Sequence, residues 1–267
     1  MDLAPLLIPE RFNGPPGSAH GGWAAGQLAA RVLGADADGL GQAATVTLRH
    51  PPPLGSRQQV VLAGELAGQP GVVLTFGGAV IAEAVPAALD VAAVDPVSPG
   101  VAGEAMMRYA GLIRHPYPTC FACGTARPAG DGLGLRPGPL PGRPGTTATT
   151  WTPDASLAGP AERHTGDTSD TSDAGDTGDT GDTVTAAAVW AALDCPGGWA
   201  VEIPGRPLML GRITAQVDAL PQVGERCVVM GALLGRDGRK VHTATTAYDG
   251  DGRVLARASA TWIETAR

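Results

Sequence analysis

A single carboxylate interrupts the most apolar stretch of the chain. Residues 184–200 read Val-Thr-Ala-Ala-Ala-Val-Trp-Ala-Ala-Leu-Asp-Cys-Pro-Gly-Gly-Trp-Ala, and Asp194 is their one charged residue. A helix that is hydrophobic nearly all round belongs in a protein core. An ionised carboxylate is costly there unless it is paired, hydrogen-bonded or used in chemistry. Asp194 is therefore expected to be paired, hydrogen-bonded or used in chemistry.

The residues after Asp194 allow a second interpretation. Pro196 and the Gly197-Gly198 pair are expected to end or kink the helix. The negative end of the helix dipole would then disfavour a carboxylate at this place. Asp194 could instead be a structural residue whose carboxylate accepts hydrogen bonds from backbone amides of the Cys-Pro-Gly-Gly turn. The sequence leaves both interpretations open.

Another group of candidate residues lies near the start of the chain. His20-Gly21-Gly22 precedes an alanine-rich helix predicted over Trp23–Leu33. Backbone amides at the start of a helix favour negative charge, so Gly21 and Gly22 could stabilise an oxyanion. His20 either takes part in chemistry or caps the helix. Gln27 could orient water or substrate, or only face solvent.

The four cysteines are sparsely placed. Cys120 and Cys123 form a Cys-x-x-Cys pair, while Cys195 and Cys227 stand apart, which is unlike a disulfide scaffold. The pair suggests zinc or redox chemistry, but a structural zinc site uses four ligands. His115 offers a third and no fourth is evident. We expect reduced thiols, no metal and no bound cofactor, with the segment packed beside a pocket.

The order of predicted elements occurs twice. Each apolar helix, at 23–33 and at 184–195, precedes four runs rich in strand-forming residues. These runs lie at 43–49, 58–67, 71–77 and 78–85, and at 208–219, 226–234, 239–248 and 253–263. An internal duplication is the simplest explanation.

Composition excludes several classes of function. The chain has 267 residues, a net charge of −7 and a pI near 5.2, which argues against a basic face for nucleic acid. The chain contains no run of about 18 apolar residues, the length that a membrane-spanning helix needs. The first residues lack the basic region of a signal peptide. We expect a cytoplasmic protein without nucleic-acid or membrane partners.

Residues 164–183 are acidic and of low complexity, built on Gly-Asp-Thr and Ser-Asp-Thr. Because they carry no large apolar side chain, they cannot bury enough surface to offset the entropy of ordering. We predict a disordered insertion. An acidic calcium-binding repeat is the alternative, but the ligand spacing of a calcium loop is absent.

One long apolar helix followed by an antiparallel meander is best buried when the sheet wraps around the helix. His20-Gly21-Gly22 resembles the opening of the central helix in many hotdog-fold proteins, and Ala191-Ala192-Leu193-Asp194 resembles the segment that carries a catalytic carboxylate in others. The chain resembles the acyl-CoA thioesterase superfamily. The resemblance implies an α+β tandem double hotdog, with two long central helices each wrapped by an antiparallel sheet. We predict an N-terminal hotdog (1–100), a linker (101–142) and a C-terminal hotdog (143–267) with an insertion at 160–183.

The resemblance implies a thioesterase that cleaves acyl-CoA or a related thioester. Asp194 would be the general base, assisted by His20 and Gln27. Candidate residues for substrate binding are Gly21, Gly22, Trp190, Arg206 and Arg212. The two arginines could meet CoA phosphates, while Trp190 could equally be a core residue.

Two other functions stay open. In the thioesterase II group, which this chain resembles, a Thr and a Gln on the following strands assist the catalytic Asp. The matching positions here fall near Gly211 or Arg212 and near Ser259 or Ala260. The absence of this Thr and Gln favours a non-catalytic protein that binds acyl groups. Hydratases with the hotdog fold carry an Asp followed by a His five residues later. This chain has Trp199 at that later position, which argues against hydratase activity.

Exposed sheet edges predict a homodimer or a larger homo-oligomer.

Overall fold

The computed structural model describes residues 2–33, 39–66, 68–158, 183–201 and 208–265. Arg206 and nearly all of the predicted insertion at 160–183 lie outside these ranges. Within them, no helix combines the length and the apolar character needed to cross a bilayer.

Two long helices and eleven strands form the α+β architecture. The long helices are α1 (Gly21–Val32) and α3 (Ala186–Trp199), and a shorter helix, α2 (Pro99–Met106), lies between them in the chain. The strands are β1 (Asp2–Leu7), β2 (Ala43–Leu48), β3 (Arg57–Leu66), β4 (Gln69–Phe76), β5 (Ala79–Ala87), β6 (Gly138–Pro139), β7 (Thr146–Trp151), β8 (Leu208–Val217), β9 (Cys227–Asp237), β10 (Lys240–Tyr248) and β11 (Val254–Glu264). All eight predicted strand runs are strands, with ends that differ by a few residues.

A single antiparallel sheet joins the two halves of the chain. Its strand order is β1-β3-β4-β5-β2-β8-β11-β10-β9-β7-β6. In each half, the first strand after the long helix pairs with the last strand of the meander, so β2 pairs with β5 and β8 with β11. The halves meet where β2 pairs with β8, and the hydroxyls of Thr45 and Thr214 hydrogen-bond across this junction at 2.7 Å.

The two long helices pack against each other in opposite directions, as successive contacts along them show. A Cβ atom on Gly22 would lie 2.6 Å from the carbonyl oxygen of Trp190, and one on Gly26 would lie 2.9 Å from Cα of Ala187. Both distances are too short for any side chain, so two glycines one turn apart on α1 set the close approach of the helices. This approach brings the start of α1 to the later turns of α3.

The prediction that α3 ends just after Asp194 is wrong, because the helix continues to Trp199 through Pro196 and both glycines. The Pro196 carbonyl accepts a hydrogen bond from Thr147 Oγ1 at 2.8 Å. A Cβ on Gly197 would lie 2.6 Å from Thr243 Oγ1, and one on Gly198 would lie 2.9 Å from the Trp262 ring. These glycines therefore allow the sheet to approach the helix and do not stop it.

The segment between the halves packs against the start of α1. Phe121 makes edge contacts with Phe12 and Trp23, whose own rings stack at 3.7 Å. The Phe121 amide donates to the carbonyl of Asn13 at 2.7 Å, and Tyr109 Oη donates to the carbonyl of Cys123 at 3.0 Å. These contacts hold the Cys-x-x-Cys pair next to the N-terminus of α1.

Candidate functional site

Asp194 lies against the N-terminus of the opposite helix. Its Oδ2 accepts a hydrogen bond from the Gly22 amide at 2.7 Å and lies 3.4 Å from His20 Nε2. The hydrogen-bonded amide belongs to α1, so the interpretation that the Cys-Pro-Gly-Gly turn binds this carboxylate is wrong. The positive end of the α1 dipole stabilises a negative charge that the end of α3 would disfavour.

His20 is the N-cap of α1, and this role fixes the tautomer of its neutral form. Its Nδ1 accepts the backbone N–H of Trp23 at 3.3 Å. A neutral imidazole that accepts at Nδ1 carries its proton on Nε2, the nitrogen that faces Asp194. His20 therefore presents a proton to the carboxylate and has no free lone pair with which to act as a base.

The second oxygen of Asp194 is available for chemistry. Oδ1 is buried and has no hydrogen-bond partner among the described residues. Asp194 and Gly21 both line a cavity of about 330 Å³. The Gly21 amide, at the first position of α1, donates no hydrogen bond within the described ranges. Two residues that line the cavity thus carry unused polar groups, a carboxylate oxygen on Asp194 and a backbone amide on Gly21, the latter at a helix start where negative charge is favoured.

Burial sets the electrostatics of this pair. Burial raises the pKa of Asp194 above its ordinary value, and the attraction of His20 and the Gly22 hydrogen bond only partly oppose that rise. Burial also lowers the pKa of His20, but the charges of Asp194 and Cys120 outweigh it, so the His20 pKa is raised. A carboxylate with a raised pKa is the form expected of a general base.

Three cysteine thiols lie beside Asp194 and line the same cavity. The Sγ atom of Cys120 lies 3.6 Å from that of Cys123 and 3.9 Å from that of Cys195. The Cys195 Sγ is also 3.4 Å from His20 Nε2. At the far end, Cys123 Sγ lies 3.4 Å from both His115 Nε2 and Trp199 Nε1. We call Cys120, Cys123 and Cys195 the thiol cluster.

The spacing of the sulfur atoms in the thiol cluster suits a metal ion, but the neighbouring imidazoles of His20 and His115 are not oriented as metal ligands. The ligand atoms of His20, Cys120 and Cys195 lie within 4.8 Å of one another, and sulfur atoms around tetrahedral zinc are about 3.8 Å apart for Zn–S bonds of 2.3 Å. Each imidazole uses Nδ1 to accept a backbone amide, His20 from Trp23 and His115 from Tyr117. Their Nε2 atoms therefore carry protons and act as donors toward sulfur. The set offers three sulfur ligands and no imidazole lone pair.

Cys195 is the cluster member that the sequence reasoning missed. Its position directly after Asp194 was the available signal, because a residue next to a candidate base on a helix stays near that base. Its proximity to Cys120 depends on how the linking segment folds, and spacing along the chain does not reveal this.

Three predicted site residues, Gln27, Trp190 and Arg212, are not among the described residues that line the cavity. Gln27 is half-buried on α1, and its carbonyl accepts a hydrogen bond from Arg31. Trp190 is buried, with Cβ against Gly26, as a core residue of the helix pair. Arg212 is exposed on β8 and donates from Nε to Thr47 Oγ1 at 3.0 Å. Arg206 lies outside the described residues.

The mouth of the cavity holds two basic residues that the sequence analysis did not select. Arg49 and His50 line it at the end of β2. The Arg49 guanidinium pairs with Glu83 at 2.6 Å and is about half exposed, so a second face remains open to solvent. The signal was weak because both residues read as the end of a strand.

Comparison with solved structures shows the fold. The chain is similar to an acyl-CoA thioesterase II from Mycobacterium marinum, with 10% identity, 94% of this chain and 90% of the other covered, and a TM-score of 0.57. It is similar to a putative thioesterase from Novosphingobium aromaticivorans, with 16% identity, 100% and 94% covered, and a TM-score of 0.56. A hotdog-fold protein of unknown function from Alicyclobacillus acidocaldarius matches at 12% identity, 96% and 90% covered, and a TM-score of 0.56.

These structures confirm the predicted resemblance to the hotdog-fold thioesterases at the level of fold. No protein-family model matches the sequence, and no curated protein matches it. What the site does must therefore be argued from its own geometry.

Proposed function

We propose that the protein is an acyl-CoA thioesterase in which Asp194 is the general base. The observation that carries the proposal is that Asp194 lines the cavity while its buried Oδ1 has no hydrogen-bond partner among the described residues. The repeated strand order supports a tandem pair of hotdog units, the arrangement in which one helix start meets the carboxylate of the other helix.

The reaction follows from the positions of these groups. A water molecule held by Asp194 Oδ1 attacks the thioester carbonyl and gives its proton to the carboxylate. The Gly21 amide, rather than that of Gly22, stabilises the oxyanion, because the Gly22 amide is already bound to Asp194. Collapse of the tetrahedral intermediate breaks the carbon–sulfur bond, and the CoA thiolate leaves with a proton returned from Asp194.

Binding of CoA would use the basic residues at the mouth. Arg49 can donate to a phosphate from the face of its guanidinium that Glu83 leaves open. Arg206, predicted for the same role, remains a proposed contact. Gln27, Trp190 and Arg212 take no part in the steps proposed here, and assembly into a homodimer remains a prediction.

A non-catalytic protein that binds acyl groups is the second candidate. Asp194 is only 3% exposed, and within the described ranges no Thr or Gln side chain hydrogen-bonds to it. A water molecule on Oδ1 would therefore have few other protein partners to orient it. The two candidates differ in turnover and not in binding.

Release of free CoA from short, medium, long and aromatic acyl-CoAs tests the proposal. Asp194→Asn keeps the shape and the Gly22 contact but removes the base, so we expect turnover to fall about a hundredfold or more. Asp218→Asn is the matched control, because Asp218 is an exposed carboxylate that contacts Gln216. It should leave turnover unchanged.

Thermal shifts with the same acyl-CoAs separate the two candidates. Stabilisation by ligand without turnover would support the non-catalytic protein. Turnover that survives in Asp194→Asn would overturn the assignment of the base, and the absence of both turnover and stabilisation would overturn acyl-CoA as the ligand.

A further inference from the structure

The thiol cluster is not used by the proposed hydrolysis, yet it lines the same cavity as Asp194. We propose that it is a redox site at which a small hydroperoxide oxidises Cys120, and Cys123 then closes a disulfide with it. This inference does not depend on the thioesterase proposal, because it rests on the sulfur atoms and their donors alone.

The arrangement favours a thiolate within the cluster. Cys120 Sγ lies centrally, within 3.9 Å of the other two sulfur atoms, and His20 presents Nε2–H at one end of the row. Trp199 Nε1–H and His115 Nε2–H both point at Cys123 Sγ. Donors directed at sulfur stabilise its anionic form, which is the reactive form of cysteine.

The charge distribution selects Cys120 as the thiol that reacts first. Hydrogen bonds from Cys123 and Cys195, opposed by burial and aided by the charge of His20, hold the pKa of Cys120 well below its ordinary value. Burial and the hydrogen bond to Cys120 raise the pKa of Cys123. The hydrogen bonds to Cys120 and Cys123, together with burial, raise the pKa of Cys195. A low-pKa cysteine next to a second thiol is the usual arrangement of a redox-sensitive pair.

The two steps balance in atoms and electrons. The Cys120 thiolate attacks one oxygen of hydrogen peroxide, so that a sulfur–oxygen bond forms, the oxygen–oxygen bond breaks, and the hydroxide that leaves combines with the proton that the Cys120 thiol released, giving water. Cys123 then attacks the sulfenic sulfur. A disulfide bond forms, the sulfur–oxygen bond breaks, and the hydroxyl leaves as water with the Cys123 proton. Two thiols are oxidised and one hydroperoxide is reduced.

Cys227 provides an internal control in the same chain. It is a free, buried cysteine, and burial together with Glu225 and Asp249 raises its pKa to about 12. Because it lies outside the thiol cluster and the cavity, it should react with hydrogen peroxide at least about a hundredfold more slowly than Cys120, as thiolate reactivity requires.

The test treats the folded full-length chain with hydrogen peroxide, followed by denaturation, alkylation of the remaining thiols and peptide mapping by mass spectrometry. We expect the four free thiols to fall to two, with Cys120 linked to Cys123 and Cys227 alkylated. Cys123→Ser should leave a Cys120 sulfenic acid that dimedone traps. Cys120→Ser should abolish the rapid loss of free thiols after peroxide is added, and Cys227→Ser should leave that loss unchanged.

Three results would overturn the inference. One is oxidation of Cys227 as fast as that of Cys120. Another is a disulfide between Cys120 and Cys195. The third is a stoichiometric metal, released on denaturation, that shields the three cluster thiols from peroxide, because the cluster would then be a metal site.

Discussion

The two ends of the central helix pair differ although their frameworks correspond. His20 caps α1 and Thr185 caps α3, and each cap accepts the amide three residues on, at 3.3 Å in both cases. Nine positions after the caps (20 to 29 and 185 to 194) stand Ala29 and Asp194. One end therefore joins a helix start to a carboxylate, while the other joins it to an alanine.

This difference indicates why only one of two corresponding helix starts faces a carboxylate. At the Asp194 end, a glycine at position 22 admits the carboxylate and supplies an amide to it. At the other end, Ala187 takes the position of Gly22, and both it and Ala29 are buried and apolar. The helix dipoles alone do not make a site, because both ends have them.

Placing a carboxylate at Ala29, the position that corresponds to Asp194, should cause the largest loss of stability. Ala29→Asp buries a charge where the corresponding residues, Ala187 and Thr185, offer neither the room of Gly22 nor the imidazole of His20, so we expect about 3 kcal/mol or more of lost stability in urea denaturation. Ala30→Asp is the control, because Ala30 is exposed on the same helix and should cost far less. Equal stability of Ala29→Asp and the native chain would show that the second end accommodates a carboxylate.

Crowding the close contact between α1 and α3 should cause the next largest loss of stability. Gly26→Ala places a Cβ 2.8 Å from Trp190 Cβ and 2.9 Å from Ala187 Cα, and the resulting overpacking should cost about 1–3 kcal/mol. Gly103→Ala in α2 meets no atom within 4 Å and should be neutral or stabilising by up to about 1 kcal/mol. Chemical denaturation of both variants measures the contrast, which fails if they lose equal stability.

Changing the two caps should separate stability from chemistry. Thr185→Ala removes a cap far from the carboxylate, so we expect a loss of about 1 kcal/mol with unchanged kcat. His20→Asn keeps a capping side chain but removes the imidazole from Asp194, so kcat and its pH dependence should change, in addition to the stability lost with the buried His20–Asp194 pair. Melting curves and CoA release on both variants check this, and a changed kcat in Thr185→Ala would contradict it.

Much of the fold could be predicted from local sequence patterns. The eight strand runs and both long helices follow from periodicity and turn residues, and Asp194 stood out as a charge in an apolar helix. The end of α3 could not be predicted, because Gly197 and Gly198 serve contacts with β10 and β11 that the sequence does not display. The thiol cluster depends on the packing of Phe121 against α1, a contact between distant segments.

The most direct test of the account is the pH dependence of kcat/KM for CoA release. A buried carboxylate with a raised pKa must lose its proton to act as a base, so the rate should fall as the pH drops through a value above the 3.8 of an ordinary Asp. In His20→Asn this acidic limb should move to still higher pH, since the attraction that opposes the rise is lost. A limb that does not move in His20→Asn would contradict the attraction between His20 and Asp194. A rate that stays flat down to pH 3.8 would contradict Asp194 as the base.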